Sequence, residues 1–100
     1  MVFTRGMRQD YHNWARAGNA GWSWDDVLPY FRALEDNQHG ASDVRGAGGP
    51  LKISDPALDS PVVRQFIQAA HGRGIRATDD LSVAGEDGVG ILQEIGRAHV

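Results

Sequence analysis

Among the side chains of this chain that could do chemistry are four histidines, the adjacent carboxylates Asp25-Asp26 and Asp79-Asp80, and the hydroxyls of Ser23, Ser60 and Thr78. His12, His39, His71 and His99 are its only imidazoles, and none stands in a His-x3-His or Glu-x2-His spacing, so no metal site is expected. Asp25 with Asp26 and Asp79 with Asp80 could suggest carboxylates sharing acid–base work. Adjacent helix positions point in different directions, however, so Asp25 and Asp26 cannot share a proton; charge at a helix start accounts for them. Asp79 and Asp80 fall in an expected loop, with a structural or solvated role. Ser23, Ser60 and Thr78 lack the neighbouring His and Asp that would activate a nucleophile. No residue is therefore assigned as catalytic. His71 is expected on the last turn of a helix, where the dipole favours a cationic ring.

The elements that would position these groups are legible from periodicity. Met7, Tyr11 and Trp14 share one face of a helix expected over about Arg8 to Ala17, with Gly18 as its left-handed cap. Ser23 is a good N-cap for a second helix, with Asp26 three residues on and a Trp22–Val27 staple. Val27, Leu28, Phe31 and Leu34 form its expected buried stripe, Pro29 is expected to bend it, and the polar run 35–40 is expected to end it. Trp14, Trp22 and Trp24 could be a stacking platform, but the helix-stripe and staple positions of Trp14 and Trp22 favour core packing. A Gly-rich loop over 40–50 precedes a short strand, Pro50 to Ser54, with Leu51 and Ile53 facing inward. Ser60-Pro61 opens a third helix whose apolar face is Val62, Val63, Phe66, Ile67 and Ala70, closed by Gly72 and Gly74. Gly88 to Leu92 is an expected strand in which glycines allow close backbone approach.

Composition narrows the partners. One hundred residues make at most one small domain. A net charge of -3 with interspersed signs argues against nucleic acid or an anionic membrane surface. The absence of cysteine removes disulfides and thiolate metal sites but indicates no compartment. No apolar run approaches the ~20 residues that span a bilayer, and no charged leader precedes an apolar stretch at Met1. The expected location is cytoplasmic. The sequence carries no signal for oligomeric state.

Four motifs occur in order: Met1-Val2-Phe3-Thr4-Arg5-Gly6 followed by Asp10, Tyr11 and Trp14; Gly21 to Phe31; Gly46-Ala47-Gly48-Gly49-Pro50-Leu51; and Asp79-Asp80-Leu81 with Gly88-Val89-Gly90. Phe3, Gly6 and His12 fit the spacing of the first. Together they resemble the glucose–methanol–choline (GMC) family of flavoenzymes, in its choline- and alcohol-dehydrogenase-like branch, over about residues 1 to 93. The resemblance implies an internal piece of an FAD-dependent enzyme that oxidises the CH–OH group of a small alcohol by hydride transfer to flavin. Met1 and Val2 match the stretch that runs beside the flavin ring in that family, so they are the cofactor-contact candidates. The implied fold class is an α+β fragment, part of an α/β FAD-binding fold joined to the start of a sheet-based substrate domain. Residues 1–45 would belong to the extended FAD-binding domain and 46–94 to the start of the substrate-binding domain.

Departures from the family are equally informative. The chain contains no G-x-G-x-x-G turn to hold the FAD pyrophosphate and no counterpart of the family's C-terminal histidine base. Met1 is thus expected to be an internal methionine and the chain by itself inactive. Residues 95–100 break with the family after Gln93, resemble a translated sequencing adapter, and are expected to be a non-native tail containing His99. Two other readings stay open: an FAD-containing hydroxynitrile lyase on the same fold, and a non-catalytic helical module acting through exposed aromatics.

Overall fold

The computed structural model describes residues 1–57, 60–81 and 87–95. Among them the chain forms an α+β unit of three helices and three short strands. These are α1 (Arg8–Arg16), α2 (Trp24–Leu34), β1 (Glu35–Asn37), β2 (Leu51–Ser54), α3 (Pro61–Gly72) and β3 (Glu94–Ile95).

Helix α1 starts where Asp10 accepts the Met7 N–H at 3.0 Å, and it ends at Ala17, followed by Gly18 with φ +107°. Helix α2 starts at the expected cap. The Asp26 N–H donates to Ser23 Oγ at 3.3 Å, while Ser23 Oγ–H donates back to the Asp26 carboxylate at 2.8 Å. Pro29 sits inside α2. Tyr11, Trp24 and Phe31 pack ring to ring between α1 and α2, with centroids 5.7 to 6.1 Å apart. Trp24 is the buried tryptophan at 3% exposure, whereas Trp14 and Trp22 are half exposed. That corrects the expected core: Trp24, at the first helical position, is the buried ring, while Trp22 and Trp14 meet edge to face at 6.0 Å nearer the surface. Val27, Leu28 and Phe31 are only half buried and Leu34 is exposed.

The polar run 35–37 does not merely end α2; it becomes β1. Strand β1 pairs in parallel with β2 in the register Glu35↔Leu51, Asp36↔Lys52, Asn37↔Ile53, and β2 pairs antiparallel with β3. No apolar alternation marks β1, because its inward side chains are Glu35 and Asn37, both buried. The loop leading to β2 lies directly on the C-terminal turn of α2. A Cβ at Gly46 would stand 1.8 Å from the Arg32 carbonyl oxygen, and one at Gly49 2.5 Å from that of Ala33. Ile53 fills the sheet's inner face at 1% exposure, as expected for β2.

Gly88 to Leu92 forms a single parallel bridge, Ala77↔Val89, rather than a strand. The close approach expected of its glycines is present: a Cβ at Gly90 would lie 2.4 Å from the Thr78 carbonyl oxygen. The tail expectation also changes. Ile95 belongs to β3, opposite Ile53, and its N–H donates to the Met1 carbonyl at 2.8 Å. Residues 96–100, including His99, lie outside the described residues. Helix α3 has the expected bounds and Pro61 at its start, yet no residue of it is buried; Val62 is 71% and Phe66 69% exposed. Among the described residues no helix is long and apolar enough to cross a membrane.

Candidate functional site

Met1 and Val2 lie at the free edge of the sheet. Val2 faces Glu94 in an antiparallel bridge whose two hydrogen bonds are made by its neighbours: the Phe3 N–H donates to the Gln93 carbonyl at 3.0 Å, and the Ile95 N–H to that of Met1. In such a pair the central residue's own N–H and C=O point away from the partner strand. The Val2 peptide groups therefore face outward, beside the exposed side chains of Met1 and Val2. A backbone donor and acceptor on an open apolar edge suit the polar rim and flat face of a fused heteroaromatic ring such as flavin. Nothing in the chain offers the glycine-rich turn that would suit its pyrophosphate.

Behind this edge stands a cluster of buried charges that the sequence reading missed. The Glu35 carboxylate is fully buried and accepts from three donors: Arg5 Nη2 at 3.1 Å, Arg45 Nη1 at 2.7 Å and the Gly46 N–H at 3.0 Å. Arg45 also grips Asp80 through Nε (2.8 Å) and Nη2. Arg5 donates to the Val44 carbonyl and lies over the Phe31 ring at 5.2 Å, while its own carbonyl accepts from the Tyr11 hydroxyl. Burial lowers the Arg5 pKa, partly offset by Glu35. For Arg45 burial acts the same way, but the carboxylates of Asp80 and Glu35 outweigh it and raise the value. Burial, then Asp10, raises the Tyr11 phenol. Sequence separation hid this set: Arg5, Glu35, Arg45 and Asp80 share no motif. The one available signal was the acidic Glu35-Asp36 immediately after an apolar helix.

Asp80 thus has the structural role expected of it, and Asp25 lies exposed at the start of α2. His39, passed over in the sequence, pairs with Asp55 at 2.7 Å. Burial opposes the Asp55 charge, but hydrogen bonds from Gln93 and His39 prevail and lower its pKa. The pair borders a cleft of about 750 Å³ that Thr78 and Asp79 also line. His71 Nδ1 lies 3.3 Å from the Ile75 carbonyl, consistent with its last-turn placement. Among the described residues, no group of three or more His, Cys, Asp or Glu is arranged to hold a metal ion.

The described residues thus form an α+β unit with a mixed sheet and a buried charge cluster. The sequence model for GMC oxidoreductases matches residues 1–99, and the chain belongs to that family. It is 36% identical over 94 residues to the oxygen-dependent choline dehydrogenase of Brucella ovis and 35% identical to that of Rhizobium etli. These alignments cover 94% of this chain and 17% of each relative, so the chain spans about a sixth of their length. The crystal structure of pyridoxine 4-oxidase from Mesorbium loti superposes with a TM-score of 0.85 at 37% identity, covering 98% of this chain and 20% of that one. An FAD-dependent oxidoreductase from Chaetomium thermophilum superposes with a TM-score of 0.81 at 30% identity, covering 95% and 18%. The cofactor of the family is FAD, and one of the two superposed structures is named as FAD-dependent. These relatives are oxidoreductases by name, and neither the lyase nor the non-catalytic module draws support from them.

Proposed function

We propose that the chain is the flavin-edge portion of an FAD-dependent oxidoreductase that oxidises the CH–OH group of a small alcohol, in the manner of choline and alcohol dehydrogenases. The observation that carries this reading is the joint likeness in sequence and fold, across nearly the whole chain, to a pyridoxine 4-oxidase and an FAD-dependent oxidoreductase. Bound FAD would supply the two-electron acceptor for the carbinol hydride, chemistry that belongs to the cofactor. This chain's part is to hold and orient. The outward N–H and C=O of Val2 would engage the polar rim of the ring, and the Met1 side chain would keep water from its face. The buried ion pairs behind them supply the rigidity that positioning needs. Residues 1–45 would belong to the FAD-binding domain and 46–94 to the start of the substrate domain, although one sheet joins strands from both. The partner is a small-molecule alcohol. A cytoplasmic parent is part of the same proposal.

The test is the full-length parent. It is expected to purify with a flavin absorbance that bleaches anaerobically when a primary alcohol such as choline or pyridoxine is added. A colourless protein, or a flavin that no alcohol bleaches, would overturn the reading. The 100-residue chain by itself should bind FAD no better than millimolar, because it has no phosphate-binding turn. Micromolar quenching of flavin fluorescence would contradict that.

A further inference from the structure

Arg45 stands where two stretches of chain meet that share no extended hydrogen-bonded strand. On one side is the Met1–Phe3 edge, tied through Arg5 to Glu35. On the other is the segment 76–80, which contributes no residue to the sheet and is held to Val89 by a small ladder. There the Thr78 N–H donates to the Val89 carbonyl at 3.0 Å, and the Val89 N–H to that of Arg76 at 2.8 Å. From Val89 the chain runs directly to Gln93 and Glu94, the residues opposite Phe3 and Val2. The contacts therefore close a ring: Val2 and Phe3, Gln93 and Glu94, Val89, Ala77, Asp80, Arg45, Glu35, Arg5, and back to Phe3.

We propose that Arg45 is a positioning residue. By holding Glu35 and Asp80 at once, it closes this ring and fixes the Met1–Val2 edge relative to the cleft that Thr78 and Asp79 share with His39 and Asp55. The chemistry requires arginine. Nε and Nη2 form a planar fork on the two oxygens of Asp80, while Nη1 points to Glu35, an arrangement that a single ammonium cannot reproduce. The Arg45 and Glu35 side chains are 7% and 0% exposed, so solvent and salt screen the bond between them little, whereas the Asp80 side chain is 33% exposed and partly open to water. Asp80 is the member that can be altered selectively. Glu35 keeps all three of its own donors when Asp80 is changed, so the loss falls on the Nε–Nη2 fork of Arg45 alone. The role of the edge toward flavin rests on the function proposed above; the mechanical coupling does not.

The test uses full-length parent, as purified, in four forms: wild type, Asp80→Asn, Asp80→Glu and Arg45→Lys. Amide exchange is followed by mass spectrometry. Asp80→Asn and Arg45→Lys are expected to accelerate exchange by about tenfold at Phe3 and Ile95 as well as at Thr78 and Val89, with the amides of α2 unchanged. The visible circular dichroism of bound flavin should change in the same variants, and Asp80→Glu should restore both readouts. Acceleration confined to Thr78 and Val89, with Phe3, Ile95 and the dichroism as in wild type, would overturn the coupling. So would a uniform loss of protection that includes α2, which marks general destabilisation. If Arg45→Lys does not fold, Asp80→Asn carries the test. A parent without FAD would overturn the proposed function, while the exchange measurement would still decide the coupling.

Discussion

The charged ring around Glu35 and the helix α3 are opposites. The ring buries Arg5, Arg45 and the Glu35 carboxylate and satisfies Glu35 from within the chain, with three donors on one carboxylate. Helix α3 carries the most evident apolar face in the sequence and leaves Val62 and Phe66 in solvent. The difference follows from the directionality of the two interactions. A buried charge needs specific partners at hydrogen-bond distance, so a folded unit must bring them along. An apolar face accepts any complementary surface, so nothing local fixes its partner.

Four changes bear on this contrast. The largest effect is expected from Glu35→Ala, which leaves Arg5 and Arg45 facing each other in a dry site. Unfolding by urea should show a loss of about 3–5 kcal/mol, and a loss near that of a surface substitution would mean that the ring is solvated. Next is Gly49→Ala, whose Cβ would press on the carbonyls of Ala33 and Leu34. Overpacking of this kind costs about 1–3 kcal/mol, read from the shift in denaturation midpoint. Ser23→Ala removes the cap that receives the Asp26 N–H and should cost about 1 kcal/mol. Turnover per folded full-length parent should not change, and a larger fall in activity than in stability would assign Ser23 another role. The smallest effect is expected on α3. Phe66→Ser should alter the stability of the 100-residue chain by no more than about 0.5 kcal/mol. In the parent it should cost several times more if that face is covered there, and equal effects in both would mean that it is not.

Acid adds a check on the edges of the ring. The Gly48 N–H, then Lys52, holds the Asp36 carboxyl below its ordinary range. A carboxyl with a depressed folded-state pKa contributes stability above its unfolded value, and loses that contribution as pH falls through the folded one. Asp36→Asn should therefore flatten the decline in melting temperature below about pH 4. An unchanged acid limb would remove Asp36 from that account.

What could be read in advance was local. Ser23 with Asp26, the Arg8 helix, Pro61 at the start of α3 and the alternation at Leu51 and Ile53 each act within a few residues. A cap bond, a helical face or a pleat involves near neighbours, so the letters nearly specify the geometry. The family likeness was legible for the same reason, as short motifs in fixed order. By contrast, Glu-Asp-Asn as a strand contradicts β-propensity and is sustained by its ladder with β2, by Arg5 and Arg45, and by the backbone of Gly46 and Gly49. The choice of Trp24 over Trp14 and Trp22 for burial likewise depended on the crossing of α1 and α2, which no periodicity states. The pairing of Asp80 with Arg45 depended on how the chain returned after α3. Sequence alone determined the three helices, strand β2 and the family, because those rest on neighbouring residues. Tertiary structure decided which charges were buried and which edge stayed open, because both depend on distances between residues far apart in the chain.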